Sequence, residues 1–284
     1  MDIQRTDATL GAIVTGVRLG QLDDAVFQTI EAAWLEHAVL IFPEQNLSDE
    51  EHLAFSRRFG AMEKGLRASQ GSGLGRLTNV KDGEVVPPDH LQRRFQRGNM
   101  EWHSDSSYKR VGAKASLLAA HVVPDEGGET EWADMRAAYT ALDSSLQARL
   151  ETAMAVHSFR YSHTWHGGLE LLSGDELERL PPVEHPVVRV HPQTGKRGLF
   201  VGRHASHIVG EDVESSRALL RKLTEEACQP PRTYKHSWCP GDLVMWDNRC
   251  VLHRGHPWPD DAARVMVRTT VAGEESDNEW AIAG

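Results

Sequence analysis

The pair His103 and Asp105 carries the clearest chemical signal in the sequence, because it places a carboxylate two residues after an imidazole. On a β-strand the side chains of residues i and i+2 point to the same face, so both groups can bind one ion. Of the fifteen histidines, only His103 has an acidic residue two positions later. One such motif is also expected by chance in a chain of this composition. The pair therefore indicates a divalent metal site only in combination with further ligands.

His253 is the candidate for the third ligand. It follows residues 241–249, whose sequence Gly-Asp-Leu-Val-Met-Trp-Asp-Asn-Arg reads as a turn, a strand and a polar loop. We expect His253 to lie just past this strand, where a rigid scaffold commonly holds functional side chains. Two histidines and one carboxylate on one face of Fe(II) would leave three coordination positions open.

Arg264 and Arg268 lie in a segment of alternating character, Arg-Val-Met-Val-Arg-Thr-Thr-Val. On a strand, residues 264, 266 and 268 share a face. Two guanidinium groups on an inner face are costly to bury unless each meets an anion, and their planar forks match carboxylates. The pattern favours two bound carboxylates, one on a co-substrate and one on a substrate. The alternative is two surface arginines on an edge strand.

Further histidine pairs with i,i+3 spacing are flanked by Gly, Pro or Ser rather than by a helical pattern, which disfavours a second metal site. These pairs are His163/His166, His204/His207 and His253/His256. We expect the second pair to line a pocket or to form ordinary hydrogen bonds.

The elements that position these residues begin with a predicted strand, helix and strand at about 10–19, 22–37 and 39–42. A second helix is predicted from Ser48, where Glu51 completes a capping box, to the glycine at position 60. Glycine-rich or polar stretches at 63–75 and 87–97 predict mobile loops, and the first of these misses the dinucleotide-binding fingerprint.

From residue 100 onward, short strands are predicted at 115–123, 187–190, 198–201, 234–238, 242–246 and 264–271. Helical patterns interrupt them at about 135–153 and 213–228. The sequence therefore predicts a mainly β protein with flanking helices and a jelly-roll core. Residues 1–284 are expected to form a single domain.

The composition narrows the function classes. The formal net charge of −10 disfavours nucleic-acid and membrane partners, although arginines in a pocket can still bind a small anion. We expect a cytoplasmic protein, since neither a signal-peptide profile nor a long apolar run is present. The three cysteines lack the spacing of a disulfide framework or a zinc ribbon.

Four blocks of sequence resemble the taurine dioxygenase/2,4-dichlorophenoxyacetate dioxygenase family, in particular the 2,4-dichlorophenoxyacetate branch. These blocks are residues 102–108, 127–139, 204–207 and 241–255. The resemblance extends in the same order from about residue 10 to 271. It is weak over 63–99, where substrate-binding residues usually lie, and residues 162–168 have no counterpart that we recognise.

The resemblance implies a double-stranded β-helix that uses Fe(II), 2-oxoglutarate and O2. Its functional residues carry over as follows: His103, Asp105 and His253 as iron ligands, Arg264 and Thr130 on the distal carboxylate of 2-oxoglutarate, and Arg268 and Asn99 facing the substrate. Lys81 is a further candidate cation for the substrate.

The predicted function is hydroxylation of an anionic small molecule, namely an aryloxyalkanoate, followed by ether cleavage to a phenol and glyoxylate. The alternatives are a taurine or alkylsulfonate dioxygenase and a non-catalytic metal-binding β-barrel. A hydrolase is disfavoured, because the sequence contains no Gly-x-Ser-x-Gly motif. A homo-oligomer is an expectation from the fold alone.

Overall fold

The computed structural model describes residues 1–64, 73–90, 93, 96–164 and 169–275. Its helices are α1 (Asp24–His37), α2 (Asp49–Arg57), α3 (Met135–Thr140), α4 (Ser144–Glu151), α5 (Phe159–His163), α6 (Gly174–Glu178) and α7 (Val213–Ala227), with short 3-10 turns at Leu19–Gln21, Gly98–Met100 and Leu169–Leu171. Its strands are β1 (Asp2–Arg5), β2 (Ala12–Thr15), β3 (Val39–Phe42), β4 (Leu74–Thr78), β5 (Val80–Lys81), β6 (Glu84–Val85), β7 (Ala113–Val122), β8 (Thr130–Asp134), β9 (Met154–His157), β10 (Val183–Pro186), β11 (Val188–Val190), β12 (Arg197–Leu199), β13 (Ala205–Ile208), β14 (Thr233–His236), β15 (Leu243–Asp247), β16 (Val251–Gly255) and β17 (Val265–Ala272).

Two sheets form the centre of the molecule. The main sheet has the strand order β1-β2-β3-β15-β7-β17-β4, and the short sheet has the order β14-β8-β16. Pairing is antiparallel except between β2 and β3. The inner faces of the two sheets pack together, as seen in the rings of Trp132 and Trp246, whose centroids lie 5.7 Å apart. This arrangement is a jelly-roll core, as predicted.

Helices cover the outer face of each sheet. Trp34 of α1 and Phe55 of α2 pack on the main sheet, whereas Leu220 and Leu223 of α7 pack behind the short sheet. The central strand β15 is buried along its whole length. A strand buried on both faces reads as a continuous apolar run, which explains why its position was predictable. The part of the chain that the structure describes contains no helix long and apolar enough to span a bilayer.

Several local predictions are confirmed. The capping box between Ser48 and Glu51 is present at α2, and α1 ends at His37 as predicted, followed by Ala38 in the left-handed region with φ 62°. The helix predicted over 135–153 is in fact two helices, because the carboxylate of Asp143 accepts a hydrogen bond from the backbone N–H of Leu146 and starts α4 anew.

Other expectations about the chain path differ from the structure. Residue 253 lies within β16 and not past a strand, while residue 103 forms an isolated bridge with it instead of belonging to a regular strand. The strands β8 and β16 escaped prediction, since each mixes charged and apolar residues. Of the two expected loops, residues 65–72, 91, 92, 94 and 95 lie outside the described residues, and the described end of the first enters β4.

Candidate active site

Three side chains with metal-binding capacity meet between the two sheets. The backbone N–H of His103 donates to the carbonyl of His253 at 3.0 Å, and the N–H of His253 donates back at 2.8 Å. This bridge places the two rings side by side, with centroids 4.1 Å apart. Asp105 follows two residues later and turns its carboxylate towards them. Its oxygens lie 4.0 Å from Nε2 of His103 and 3.7 Å from Nε2 of His253.

The two imidazoles are in the form that binds metals. Nδ1 of His103 donates to the carbonyl of Glu101 at 2.7 Å, which leaves Nε2 as the unprotonated nitrogen. Burial lowers the pKa of His103 well below its ordinary value and that of His253 to about 4. Both rings are therefore neutral at neutral pH and can offer a lone pair to a cation.

The carboxylate of Asp105 is ionised. Burial alone would raise its pKa, but the guanidinium of Arg268 and the two imidazoles outweigh burial and hold the pKa well below its usual range. Nη1 of Arg268 donates to Oδ1 of Asp105 at 3.0 Å. The family resemblance implies that Arg268 faces an anionic substrate. The structure shows that Arg268 also forms a hydrogen bond with Asp105.

His103, His253 and Arg268 line one cavity between the sheets. Its empty volume is about 600 Å³, a figure that includes open solvent at the mouth. Its walls are formed by Leu77, Gln96, Asn99, Met100, His103, Leu118, Thr130, Trp246, His253, Gly255, His256, Trp258, Arg264 and Arg268.

Arg264 is a buried cation at one end of this cavity. Its Nη2 donates to the carbonyl of Gly128 at 3.0 Å, and its Nε is buried without a hydrogen-bond partner. Among the described residues no carboxylate forms an ion pair with it. Burial lowers the pKa of Arg264 to about 10, so the guanidinium remains charged. Gly128, at φ +72°, makes room for it, since a Cβ there would lie 3.1 Å from Nε.

Thr130 lies in the same cavity and retains a free hydroxyl proton. Its Oγ1 accepts a hydrogen bond from Nε1 of Trp238 at 3.0 Å, so the hydroxyl proton of Thr130 can still be donated to a ligand. A buried guanidinium and a hydroxyl donor at one end of a cavity form an arrangement suited to a carboxylate.

The remaining candidates divide between the cavity and the surface. Asn99, in the Gly98–Met100 turn, lines the cavity. Lys81 does not, because it is exposed in β5. His204 is buried with its ring 6.4 Å from that of His103, and its Nε2 accepts from Nε of Arg203 at 3.3 Å. Residue 166 lies outside the described residues.

Two residues that contact Asp105, Ser116 and Asn248, were not predicted from the sequence. Ser116 contacts Asp105, with Oγ 2.7 Å from Oδ2, and a lone serine within an apolar strand was the available signal. Asn248 accepts a hydrogen bond from the backbone N–H of Asp105 through its Oδ1 at 3.2 Å. Asp134 and Asp247 form ion pairs with Arg136 and Arg249.

A second group of metal-capable side chains lies at the far end of β15. His191, Asp247 and Cys250 place their donor atoms within 4.8 Å of one another and are buried. Arg249 donates to both carboxylate oxygens of Asp247, at 2.8 and 2.7 Å, and Nε2 of His191 donates to Oδ2 at 2.9 Å.

Comparison with known proteins adds independent information. Residues 2–270 match the family described as taurine catabolism dioxygenase TauD, TfdA family. The chain is 45% identical over 290 residues to the (S)-phenoxypropionate/alpha-ketoglutarate-dioxygenase of Sphingobium herbicidovorans, covering 99% of this chain and 98% of the relative. It is 40% identical to the alpha-ketoglutarate-dependent 2,4-dichlorophenoxyacetate dioxygenase of a Burkholderia species, covering 89% and 88% of the two chains. A crystal structure of AAD-2 with Mn(II) and N-oxalylglycine superposes with a TM-score of 0.90 at 39% identity, covering 97% of this chain and 98% of that one.

Proposed function

The chain belongs to the TauD/TfdA family of dioxygenases, and we propose that it hydroxylates an aryloxyalkanoate with the help of Fe(II), 2-oxoglutarate and O2. It is a 2-oxoglutarate-dependent dioxygenase. The proposal rests on one observation above all: His103 and His253, which cluster with Asp105, line the same cavity as the buried guanidinium of Arg264, which has no described carboxylate partner. We further propose that residues 1–284 act as one domain, in line with the extent of the family match.

The proposed iron ligands are Nε2 of His103, the carboxylate of Asp105 and Nε2 of His253. Two neutral imidazoles and one carboxylate suit Fe(II) and leave room for other ligands. When bound, the metal together with 2-oxoglutarate and O2 would supply the oxidising power that converts a substrate C–H into C–OH. The protein's own part is to hold the reactants close together and to exclude water from the cavity.

Arg264 and Thr130 are the proposed anchors of the distal carboxylate of 2-oxoglutarate. Arg264 supplies a positive charge and an Nε–H group that can donate a hydrogen bond, while Thr130 supplies a hydroxyl proton. A buried guanidinium without an anion is unfavourable, so a bound carboxylate would relieve a cost that the folded protein otherwise carries.

Arg268 and Asn99 are the proposed contacts for the substrate. Both line the cavity beside the proposed metal ligands, and Arg268 is accessible, with 28% of its side chain exposed. The relatives named for phenoxypropionate and for 2,4-dichlorophenoxyacetate support an aryloxyalkanoate. Hydroxylation of the carbon beside the ether oxygen would give a hemiacetal or hemiketal, which collapses to a phenol and a 2-oxoacid such as glyoxylate. Lys81 is not among these contacts, because it is exposed in β5 and does not line the cavity.

The deciding experiment is anaerobic reconstitution with Fe(II) and 2-oxoglutarate, followed by O2 and a panel of substrates. The panel contains aryloxyacetates, both enantiomers of 2-aryloxypropionates and alkylsulfonates, and His103→Ala protein is the control. We expect phenol and succinate to form in equal amounts with an aryloxyalkanoate, and neither to form with the variant.

Each other result would revise a different part of the proposal. Succinate with sulfite from an alkylsulfonate would favour a sulfonate substrate, to which the guanidinium of Arg268 is equally suited. Succinate without a substrate product would retain the oxidative chemistry and contradict the substrate class. Absence of succinate in every reaction would favour a non-catalytic metal-binding barrel.

A further inference from the structure

The carboxylate of Asp105 is held by two different kinds of partner. Ser116 of β7 donates its hydroxyl to Oδ2 at 2.7 Å, and Arg268 of β17 donates Nη1 to Oδ1 at 3.0 Å. The hydroxyl belongs to a fully buried residue, whereas 28% of the arginine side chain is exposed. The two contacts therefore differ in how easily a ligand or water can replace them.

Asn248 connects Ser116 back to the main chain of Asp105. Its Nδ2 donates to Oγ of Ser116 at 2.9 Å, and its Oδ1 accepts from the backbone N–H of Asp105 at 3.2 Å. Nε1 of Trp246 donates to the same Oδ1 at 3.1 Å. The result is a closed ring of hydrogen bonds that runs from the Asp105 carboxylate through Ser116 and Asn248 to the Asp105 amide.

The donors and acceptors of this ring can be arranged in only one way. Oδ1 of Asn248 faces two N–H donors, so its amide nitrogen must face Ser116. Oγ of Ser116 accepts that bond, and its single proton is therefore available for the carboxylate of Asp105. Because Ser116, Trp246 and Asn248 are buried, water does not compete for these bonds, and each is stronger for being in a low-dielectric interior.

Arg268 is under no such constraint. It lines the cavity and makes one described bond to Asp105, which an incoming anion could replace. If the arginine were the main support of Asp105, drawing it towards a ligand would release the carboxylate. The ring of hydrogen bonds avoids this release, since it holds the other carboxylate oxygen, Oδ2, through Ser116.

We propose that Ser116 and Asn248 are positioning residues that keep the Asp105 carboxylate oriented for the metal independently of Arg268. This inference rests on the proposed metal site. Partners behind a ligating side chain commonly contribute about 10- to 100-fold to metal affinity.

The test is the affinity of the metal-free protein for Mn(II), measured by titration with paramagnetic resonance detection of free Mn(II). Ser116→Ala and Asn248→Ala should each weaken binding by about 10- to 100-fold. The double variant should bind Mn(II) about as weakly as whichever single variant binds it less tightly, because both residues act through one ring of hydrogen bonds. Ser216→Ala is the matched control: Ser216 of α7 is also buried and also forms two hydrogen bonds through its hydroxyl, but these join it to backbone groups away from Asp105. It should match the wild type.

Arg268→Gln supplies a measurement that does not depend on whether the ring variants fold. Its Mn(II) affinity should stay close to that of the wild type or increase, since a cation is removed while the ring remains. A loss as large as that of Asn248→Ala would overturn the proposal. Wild-type affinity in both Ser116→Ala and Asn248→Ala, together with a loss in His103→Ala, would also overturn it and leave the metal site intact. Equal binding by wild type and His103→Ala would instead refute the metal site on which the proposed function depends.

Discussion

Two buried clusters in this protein each combine a carboxylate with at least one imidazole but differ in how their charges are balanced. The candidate active site joins Asp105 to two imidazoles, and its arginine makes a single bond from a cavity wall. In the second cluster, Arg249 donates to both oxygens of Asp247, and His191 donates to one of them. Both carboxylates have a pKa well below the usual range, since burial, which would raise it, is outweighed by the adjacent cations.

The two clusters differ in which imidazole nitrogens still have a lone pair available to bind a metal ion. In the second cluster Nε2 of His191 carries its proton towards Asp247, and burial followed by the charge of Asp247 raises the pKa of the Cys250 thiol. In the candidate active site both Nε2 atoms face the carboxylate across a gap of 3.7 to 4.0 Å, which is too long for a hydrogen bond. Donor type and proximity alone therefore do not identify a metal site. The candidate active site differs in that neither Nε2 atom is hydrogen-bonded to the carboxylate and both imidazoles line a cavity.

The largest expected contrast comes from removing one histidine of each cluster. His103→Ala should abolish turnover and weaken Mn(II) binding by more than about 100-fold, beyond the loss expected for an indirect partner. His191→Ala should leave Mn(II) binding unchanged, because its ring nitrogen is occupied by Asp247. Metal titration and succinate release test both variants. An equal decrease in Mn(II) affinity in both variants would contradict the distinction between the two clusters.

A second contrast concerns stability. Asp247→Asn leaves the buried Arg249 without its carboxylate, so the free energy of unfolding should fall by about 3–5 kcal/mol. Because folding lowers the pKa of Asp247, its stabilising effect is present above the unfolded value of about 3.9 and is lost as the pH falls towards the folded value. The wild type should thus lose stability below about pH 4 more steeply than Asp247→Asn. Denaturant melts at several pH values measure this, and parallel pH profiles would contradict it.

A third prediction distinguishes the binding role of Arg264 in the active site from the structural role of Arg249. Arg264→Gln should raise the KM for 2-oxoglutarate by about 10- to 100-fold, since hydrogen bonds to charged groups contribute about 1.5–3 kcal/mol. The midpoint temperature of thermal unfolding should not fall, because removing the guanidinium leaves no described carboxylate without its ion-pair partner. Steady-state kinetics and thermal melts test the two statements, and a destabilised variant with an unchanged KM would assign Arg264 a purely structural role.

The smallest effect is expected at Arg268. Arg268→Ala should raise the KM of the aryloxyalkanoate by about tenfold while that of 2-oxoglutarate changes much less, because a partly exposed cation contributes less than a buried one. Equal changes in both constants would mean that Arg268 does not distinguish the substrate from the co-substrate.

Short-range patterns account for most of what was predictable. The capping box of α2 involves residues three apart, and the strand β15 appears as a continuous apolar run. The pair at 103 and 105 was recognisable because its two ligands are only two positions apart in the sequence. In contrast, β8 and β16 lie in the short sheet and carry outward-facing charges such as Glu131 and Arg254, so no simple alternation marked them.

The sequence by itself determined the types of side chain that the site contains, the mainly β fold and the family. The tertiary structure alone decided which groups meet: Arg268 reaches Asp105 from 163 residues away, and Asn248 reaches it from 143. The physical reason is that strand register, which local patterns do not encode across such distances, fixes which side chains face each other between the two sheets. Register therefore explains why Asp105 is supported by a buried ring, and why Asp247, with similar neighbours, is neutralised instead.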